Sequence, residues 1–471
     1  MNTNIDFSDW QERFSDQGTP LKLENSFASP YSQDRARIIH SASFRRLQAK
    51  TQVLGLGDSD FYRTRLTHSM EVAQIGSGIC ETLRNKYRNT PFEIWIPDLH
   101  LIEAICLAHD IGHPAFGHGG EIALNYCMQG YGGYEGNGQT LRIVSKLGEF
   151  HEEYGLNLTR RTILGLIKYP AKYNDVFNID FKKIHSVGNE LNLDDYKPPK
   201  CIHEEEEKIL DWVLKPFSSN DRTLYRKVQK CEVILEENLS NKSKVEHHKT
   251  VYKSFDTSIM ELADDIAYGI HDLEDAIALK LITHDSWHKT SLSDNDDSLT
   301  VHKVMQNNLD QDALKILKLE SADELSNLLF KGDKNSRKHA ISKLVRLLVQ
   351  NIYIGENLKF THQLLSYQAK LPENIKLILK TLKNFVYQTV IKSTEVQLLE
   401  YKGQKIILEL FKVLQANPER LLPKNTYKLF ASSENPNREI CDYIAGMTDN
   451  YATKTYQKLF MPSAGSIFDK L

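Results

Sequence analysis

The sequence lacks several features that would settle its class at once. It has no stretch near the roughly 18 consecutive apolar residues that a membrane span needs. Its first residues show no basic region followed by an apolar run, as a secretory signal would. The six cysteines are scattered without a Cys-x-x-Cys pair, which favours reduced thiols over a disulfide framework or a cysteine zinc site. We therefore expect a cytoplasmic protein with no membrane association.

The sequence also lacks a large excess of either positive or negative charge. The 59 basic and 62 acidic residues give a net charge of -3, so no overall electrostatic attraction to nucleic acid or anionic membrane is expected. Alternating strand patterns are scarce, whereas helical periodicity runs through most of the 471 residues. The pattern predicts an all-α protein.

Breaks in the periodicity suggest three regions. We predict an N-terminal arm over 1–33, a helical core over 34–282, and a helical C-terminal region over 283–471 that completes the site and makes oligomer contacts. The polar, proline-containing stretch 170–220 is interpreted as an insertion on the surface of the core. Within the core, helices are expected from Asp34 to Gln48, from Thr64 to Leu83, and from Pro97 toward His109.

The stretch HDIGHPAFGHGGE, residues 109–121, concentrates ionisable side chains. An apolar run over 101–108 delivers His109 and Asp110, as the end of a buried helix would, and Pro114 prevents that helix from continuing. His118 and Glu121 share a face if a new helix begins near them. Three histidines, one aspartate and one glutamate in thirteen residues exceed what packing needs, so the stretch predicts a site.

A later helix, predicted over Ser258 to Leu281, has two distinct faces. At 100° per residue its isoleucines and leucines form one stripe, and Asp264, Tyr268 and Asp272 align on roughly the opposite face. A solvated acidic face that also holds Glu261 and Asp265 is the alternative interpretation.

One further histidine completes a set of metal ligands. His68, His109, Asp110 and one later aspartate would form a mixed nitrogen and oxygen set for a divalent ion such as Mn, Fe, Zn or, less comfortably, Mg. Arg63 and Arg65 flank His68, and basic side chains beside a metal suit a phosphorylated substrate.

The order of these residues resembles the H…HD…D signature of HD-domain metal-dependent phosphohydrolases. Five segments resemble the bacterial deoxyguanosine triphosphate triphosphohydrolase family in order and spacing. They are RTRLTHSMEVAQIG (63–76), AHDIGHPAFGHGGE (108–121), EGNGQTLR (135–142), LADDIAYGIHDLEDA (262–276) and DYIAGMTDNYA (442–452). The stretch 170–220 and much of 283–430 show no such match.

The resemblance implies an HD helical core with peripheral helical additions, and a role for each matching residue. It implies metal ligation by His68, His109, Asp110 and Asp264, with Asp265 as the rival for the fourth place. The catalytic group that it implies is His118, Glu121 and His113; acid and base roles remain open between the first two. The substrate contacts that it implies are Gln52, Tyr268 and Asp272 at the deoxyribose, and Asn137, Lys168, Tyr169 and Arg438 at phosphate or base.

The activity implied is hydrolysis of a deoxynucleoside triphosphate, most readily dGTP, to deoxynucleoside and inorganic triphosphate with Mg, Mn or Fe. The family resemblance also implies a homo-oligomer, hexamer-like in the family, and a nucleotide or single-stranded DNA effector. Two alternatives are an HD phosphodiesterase or phosphatase acting on another nucleotide, and a non-hydrolysing regulator that binds nucleotide or nucleic acid. The His118–Glu121 pair and the Asp264 face disfavour the first, and the intact ligand set disfavours the second.

Overall fold

The computed structural model describes residues 6–16, 29–52, 63–178, 196–231, 246–292 and 299–461. Over these ranges the chain is predominantly α-helical, with two short antiparallel strand pairs. The prediction of an all-α protein is confirmed. Parts of the predicted N-terminal arm and of the 170–220 insertion, at 1–5, 17–28 and 179–195, lie outside the described residues.

The regular elements are numbered in chain order. The α-helices of the described ranges are α1 Ser8–Gln11, α2 Pro30–His40, α3 Ala42–Arg46, α4 Arg65–Lys86, α5 Leu99–Ala108, α6 Gly117–Cys127, α7 Gly136–Arg142, α8 Arg160–Leu166, α9 Tyr173–Val176, α10 Glu207–Leu214, α11 Ser219–Tyr225, α12 Phe255–Ala278, α13 His284–Lys289, α14 Val301–Asn308, α15 Gln311–Leu317, α16 Ala322–Phe330, α17 Lys334–Asn351, α18 Gln363–Ser366, α19 Glu373–Val386, α20 Thr394–Ala416, α21 Pro418–Leu421, α22 Lys424–Ser432, α23 Pro436–Ala445 and α24 Asp449–Phe460. The strands are β1 Val228–Gln229, paired with β2 Lys249–Thr250, and β3 Tyr353–Glu356, paired with β4 Tyr367–Lys370.

Helices α4, α5 and α12 pack against one another at the centre of the main core. Each begins at a side chain that accepts a hydrogen bond from a free backbone N–H of the first turn: Thr64, Asp98 and Ser254. The helices predicted from Thr64 and from Pro97 are confirmed, with first residues Arg65 and Leu99. The predicted helix at 258 begins three residues earlier, because Ser254 provides the cap.

The expected single helix from Asp34 to Gln48 is interrupted. Helix α2 ends at His40, α3 begins at Ala42, and Ser41 between them has an extended backbone. The Ser41 hydroxyl donates to the carbonyl of Ile38 at 2.8 Å and accepts from the N–H of Phe44 at 3.2 Å. One side chain therefore satisfies the end of one helix and the start of the next.

The described part of the 170–220 stretch contributes to the main core. Helix α10 buries an apolar face, and Leu210 and Val213 are fully buried in that core. The acidic run at its start, residues 204–207, has a buried member, Glu206, which pairs with Arg142 at 2.9 Å. A burial pattern of this kind depends on tertiary packing and is not visible in a run of like charges.

The C-terminal helices form a second core around α6. Helix α20 packs along α6, and two glycines permit the close approach. A Cβ at Gly403 would lie 2.4 Å from Cβ of Phe116, and one at Gly119 would lie 2.6 Å from Cγ of Glu400. Among the described residues, no helix is both long enough and apolar enough to cross a membrane.

Candidate active site

Three core helices bring four of the predicted ligands together. His68 lies in the first turn of α4, His109 caps the end of α5 with Asp110 next to it, and Asp264 lies in α12. The Nε2 atom of His68 is 3.1 Å from Oδ1 of Asp264, and Nε2 of His109 is 3.6 Å from the same oxygen. Nε2 of His109 is 3.4 Å from Oδ1 of Asp110. Ligand atoms of His68, His109 and Asp110 all lie within 4.8 Å of one another.

The hydrogen bonding of His109 indicates that this cluster is suited to a cation. Its Nδ1 donates to the carbonyl of Cys106 at 2.7 Å, so a neutral ring carries its lone pair on Nε2. That Nε2 is buried, has no hydrogen-bond partner, and faces carboxylate oxygens of Asp110 and Asp264. A lone pair beside two anions is unfavourable unless a positive charge lies between them. Ring orientation by a backbone carbonyl is typical of metal-ligating histidines.

A proton is the alternative positive charge when no ion is bound. Burial alone would lower the pKa of His109, but Asp110 and Asp264 outweigh it and raise that pKa. The pKa of Asp264 lies well below its usual range: burial opposes this shift, and Lys168 and His109 produce it. The donor set therefore fits a divalent cation on electrostatic grounds as well as by its geometry.

The two adjacent aspartates of α12 point to different partners. Asp264 turns Oδ1 toward the histidines and Oδ2 toward Nζ of Lys168, at 3.3 Å. Asp265 instead forms an ion pair with Lys383 of α19. The predicted helix face thus places Asp264, and not Asp265, beside the two histidines.

The second oxygen of Asp110 is held by a buried arginine. NH1 of Arg65 donates to Oδ2 of Asp110 at 2.6 Å, while Nδ1 of His113 is 3.0 Å from Oδ1. Although burial raises the pKa of Asp110, His113, His109 and Arg65 hold it well below the usual range. Of the two arginines that flank His68, Arg65 therefore belongs to the cluster. Arg63 is instead bound by acidic side chains, at Glu71, Glu274 and Asp275.

A separate imidazole and carboxylate pair lies on α6. Its helix begins at Gly117, after Phe116 in the left-handed region with φ of 61°, so His118 and Glu121 share a face as predicted. Nδ1 of His118 is 3.1 Å from Oε2 of the buried Glu121, and the N–H of Gly136 donates to Oε1 at 2.9 Å. The His118 side chain is 71% exposed, so its ring is accessible to a ligand, and it meets the ring of His113 edge-on at 6.1 Å.

Two lysines lie near these two groups, Lys168 and Lys200, and of the two only Lys168 is predicted from the sequence. Lys168 contacts Asp264 as described. Lys200 lies with Nζ 2.8 Å from Oε1 of Glu135 and 3.5 Å from Oε1 of Glu121. It falls in the stretch with no family match and has no motif of its own, so no sequence signal marked it. The predicted contact Asn137 donates to the same Glu135 oxygen at 2.8 Å.

The predicted sugar-contacting residues include unpaired buried oxygens. Asp272 is 4% exposed, and its Oδ2 has no hydrogen-bond partner. Burial raises the pKa of Asp272 to about 7. Tyr268 is half-buried one turn earlier on α12, and Oε1 of Gln52 is also buried without a partner. Unpaired buried acceptors of this kind are suited to a donor on a ligand.

The last two predicted contacts are Tyr169 and Arg438. Tyr169 follows Lys168 directly, and Nζ of Lys253 is 5.8 Å above its ring. Arg438 of α23 is buried, and its Nε is 3.3 Å from Oε1 of Glu205. Its NH1 and NH2 atoms are buried without a hydrogen-bond partner.

Comparisons with known proteins identify the relatives of this chain. The model of the HD domain matches residues 65–174, and that of the phosphohydrolase-associated domain matches residues 369–458. The chain is 46% identical to a deoxyguanosinetriphosphate triphosphohydrolase-like protein of Shewanella loihica, with 98% of both chains covered. It is 45% identical to one of Shewanella sediminis, again with 98% of each covered.

These matches define the class of the protein as an HD-domain hydrolase. Within that class, the chain belongs to the family of deoxyguanosinetriphosphate triphosphohydrolase-like proteins. The resemblance inferred from the five sequence segments is confirmed.

The raised pKa of Asp272 predicts a pH-dependent cost of folding. In the unfolded chain the carboxyl ionises near its ordinary pKa of about 3.9, whereas the folded protein holds it protonated until about pH 7. Ionisation thus favours the unfolded state, and stability is lost as pH rises between these values. In metal-free protein, we expect Asp272→Asn to be more stable than wild type at pH 8, by about 1.4 kcal/mol per unit of pKa shift at most.

Denaturant unfolding of both proteins from pH 4 to pH 8 measures this difference, which should shrink toward pH 4. Asp312→Asn is the matched control, because that side chain is 88% exposed. A difference between Asp272→Asn and wild type that did not change with pH would contradict the prediction.

Proposed function

We propose that the protein hydrolyses deoxynucleoside triphosphates, with dGTP preferred, to deoxynucleoside and inorganic triphosphate with the help of a divalent metal ion. The observation that carries the proposal is the buried Nε2 of His109, which faces the carboxylates of Asp110 and Asp264. His113 contacts Asp110 and lies beside the accessible ring of His118, so it links this cluster to the His118–Glu121 pair. The names of the relatives, deoxyguanosinetriphosphate triphosphohydrolase-like proteins, support the choice of substrate.

In this proposal, His68, His109, Asp110 and Asp264 hold the ion. Two imidazoles and two carboxylates suit Mn or Fe, and Mg less comfortably, and leave coordination positions for water and phosphate. When bound, such an ion polarises an α-phosphoryl oxygen and favours ionisation of water. Arg65 and Lys168 hold the outer carboxylate oxygens, so the inner oxygens are fixed toward the histidines.

His118 is the proposed proton-transfer group. Imidazole is the side chain that most often serves as a general acid or base, and the exposed ring can reach a substrate. Glu121 orients the ring, since Glu121 is buried and is itself fixed by the N–H of Gly136. His113 lies between this pair and Asp110, where it would face the phosphates.

The remaining side chains are assigned to the nucleotide. Lys168 and Lys200 supply positive charge for the triphosphate. Asn137 supplies a further polar contact, and Tyr169 lies next to these residues. Gln52 and Asp272 would bind the 3′-hydroxyl through their unpaired oxygens, and Tyr268 would close the space at C2′. The assignment of Arg438 to phosphate or base rests on the family resemblance alone.

We further propose that the protein acts in the cytoplasm as a homo-oligomer that responds to nucleotide or single-stranded DNA, and that the 283–471 region completes the site. Contact between α20 and α6 supports the proposal that the 283–471 region completes the site, because Glu400 packs against Gly119, beside His118. Exposed apolar side chains on α20, such as Leu398 and Tyr401, support an oligomer contact.

Adjacent aspartates provide a matched test of the metal ligands. Asp264→Asn should lower metal affinity by at least about 10-fold. Removing a direct ligand should weaken metal binding at least as much as removing a residue that hydrogen-bonds to a ligand, which has an effect of about this size. Asp265→Asn should keep the metal, since that carboxylate pairs with Lys383. Elemental analysis after dialysis measures both. Metal loss in the Asp265 variant alone would overturn the assignment.

Replacing His118 separates proton transfer from binding. His118→Ala should lower kcat by about 100-fold or more, the usual scale for losing a general acid or base. Metal content should stay at the wild-type level, because His118 is outside the ligand set. Steady-state kinetics with dGTP and elemental analysis test this. Normal kcat with a raised KM would make His118 a binding residue instead.

The sugar contacts predict which nucleotides are cleaved. Deoxynucleoside triphosphates should be hydrolysed to deoxynucleoside and triphosphate, GTP poorly, and dideoxy-GTP with a large loss, because each stranded polar partner costs about 1–3 kcal/mol. Tyr268→Ala should narrow the ratio of dGTP to GTP hydrolysis by admitting a 2′-hydroxyl.

Product analysis by chromatography with four dNTPs, GTP and dideoxy-GTP tests both the reaction and the pocket. Release of monophosphate and pyrophosphate would contradict the proposed bond cleavage. Wild-type cleavage of GTP as fast as dGTP would contradict the proposed pocket and favour a broader nucleotide phosphohydrolase.

A further inference from the structure

A cation from the C-terminal region lies beside two side chains of α12 close to the proposed metal ligand. Lys383 of α19 forms an ion pair with Asp265, whose neighbour Asp264 faces the histidines. The same ammonium, Nζ of Lys383, lies over the ring of Tyr268, 5.8 Å from its centroid. Lys383 is therefore held between a carboxylate next to a metal ligand and the ring that is proposed to close the space at C2′ of the sugar.

A glycine on α12 permits this approach. Gly269 follows Tyr268 directly and lies where α19 packs along α12. A Cβ at Gly269 would lie 3.0 Å from Cδ1 of Leu379 and 3.1 Å from Cγ of Lys383. These distances are shorter than an ordinary contact between carbon atoms, so a larger residue would displace both side chains. Glycine thus lets the stem of Lys383 lie against α12 and carry Nζ to the ring.

Asp265 is placed to anchor the lysine there. Asp265 and Tyr268 are three residues apart on α12, so they lie on the same flank of the helix. The side chain of Lys383 is 31% exposed and that of Asp265 is 45% exposed, so the pair lies at the surface of the site and not in the core. An ammonium that binds Asp265 is kept beside the ring of Tyr268 by this arrangement.

The position of the Tyr268 ring decides whether a ribose fits. A cation over the face of an aromatic ring is attracted to it, which restrains the ring. A ring that tilted away from the sugar would leave room for a 2′-hydroxyl. Discrimination against ribose therefore depends on the groups that hold the ring, and Lys383 holds it from the side of α19.

We propose that Lys383 is a positioning residue for sugar selection. With Asp265 as its anchor, its ammonium fixes the Tyr268 ring against C2′, so the C-terminal region contributes to the preference for deoxyribose over ribose. This role rests on the proposed function, in which Tyr268 contacts the sugar. Lys383 touches none of the reacting atoms in that function, so its loss should change discrimination more than the turnover of dGTP.

Substitutions on α19 test this role through the ratio of kcat/KM for dGTP to kcat/KM for GTP. Lys383→Met keeps an aliphatic stem against Gly269 and removes the charge. The ratio should fall by about 3-fold or more, the factor that corresponds to one exposed cation–π contact, with kcat for dGTP nearly unchanged. Lys383→Arg should keep the ratio, because a guanidinium also binds carboxylates and stacks on aromatic faces. Lys380→Met is the matched control, since Lys380 is exposed on the same helix.

Binding of deoxyguanosine and guanosine, measured by isothermal titration calorimetry, gives a second ratio that needs no hydrolysis. It should fall in Lys383→Met as the kinetic ratio does. A wild-type protein that showed no preference in either measurement would refute the proposed sugar pocket itself. If wild type discriminates and Lys383→Met keeps both ratios, the role of Lys383 alone is refuted. Equal weakening of dGTP and GTP with an unchanged ratio would likewise refute it, because Lys383 would then contact the triphosphate.

Asp265→Asn keeps the test decisive if a lowered melting temperature shows that Lys383→Met folds poorly. That carboxylate is half-exposed, so its replacement leaves the core intact. Loss of the anchor should lower both ratios in the same direction as Lys383→Met, while the metal content stays at the wild-type level. Unchanged ratios in Asp265→Asn would count against the proposal in that case.

Discussion

The lone pair on Nε2 of His109 is the constraint on which the site depends. The carbonyl of Cys106 fixes the ring through Nδ1, and the end of α5 places it between the carboxylates of Asp110 and Asp264. Burying such groups without a compensating charge costs several kcal/mol for each ion. The large apolar core formed by α4, α5 and α12 offsets that cost and keeps the arrangement in place. A cation then relieves a strain that the fold itself maintains.

Each of the two carboxylates divides its oxygens in the same way. Asp110 gives one oxygen to Arg65 and turns the other to His113 and His109. Asp264 gives one oxygen to Lys168 and turns the other to the histidines. The basic partners fix the rotamers of the aspartates, so the inward oxygens are ordered before any ligand binds. Preorganisation of this kind lowers the entropy that binding would otherwise cost.

Features that depend on local spacing could be predicted from the sequence, whereas features that depend on tertiary contacts could not. The family resemblance, together with the 100° helix repeat that aligns Asp264 with Tyr268 and Asp272, favoured Asp264 over Asp265, and the structure places Asp264 beside the histidines. In contrast, Lys200 reaches Glu121 from a stretch with no motif, and Ser41 breaks a helix through hydrogen bonds that no periodicity records. The ion pair of Arg438 with Glu205 likewise depends on how α23 packs and has no signal in the sequence.

The C-terminal helices help to hold the turn that leads into the proposed catalytic pair. Nζ of Lys50 donates to the carbonyls of His113 and Ala445, at 2.6 and 3.0 Å. The carboxylate of Asp449, at the start of α24, accepts from the N–H groups of Thr51 and Phe116, each at 2.9 Å. These four bonds join the residues just before Gln52, the turn that leads into His118, and the C-terminal helices. A small shift of α24 would therefore move the proposed sugar contact and the proposed proton-transfer group together, so these bonds couple the C-terminal helices to both.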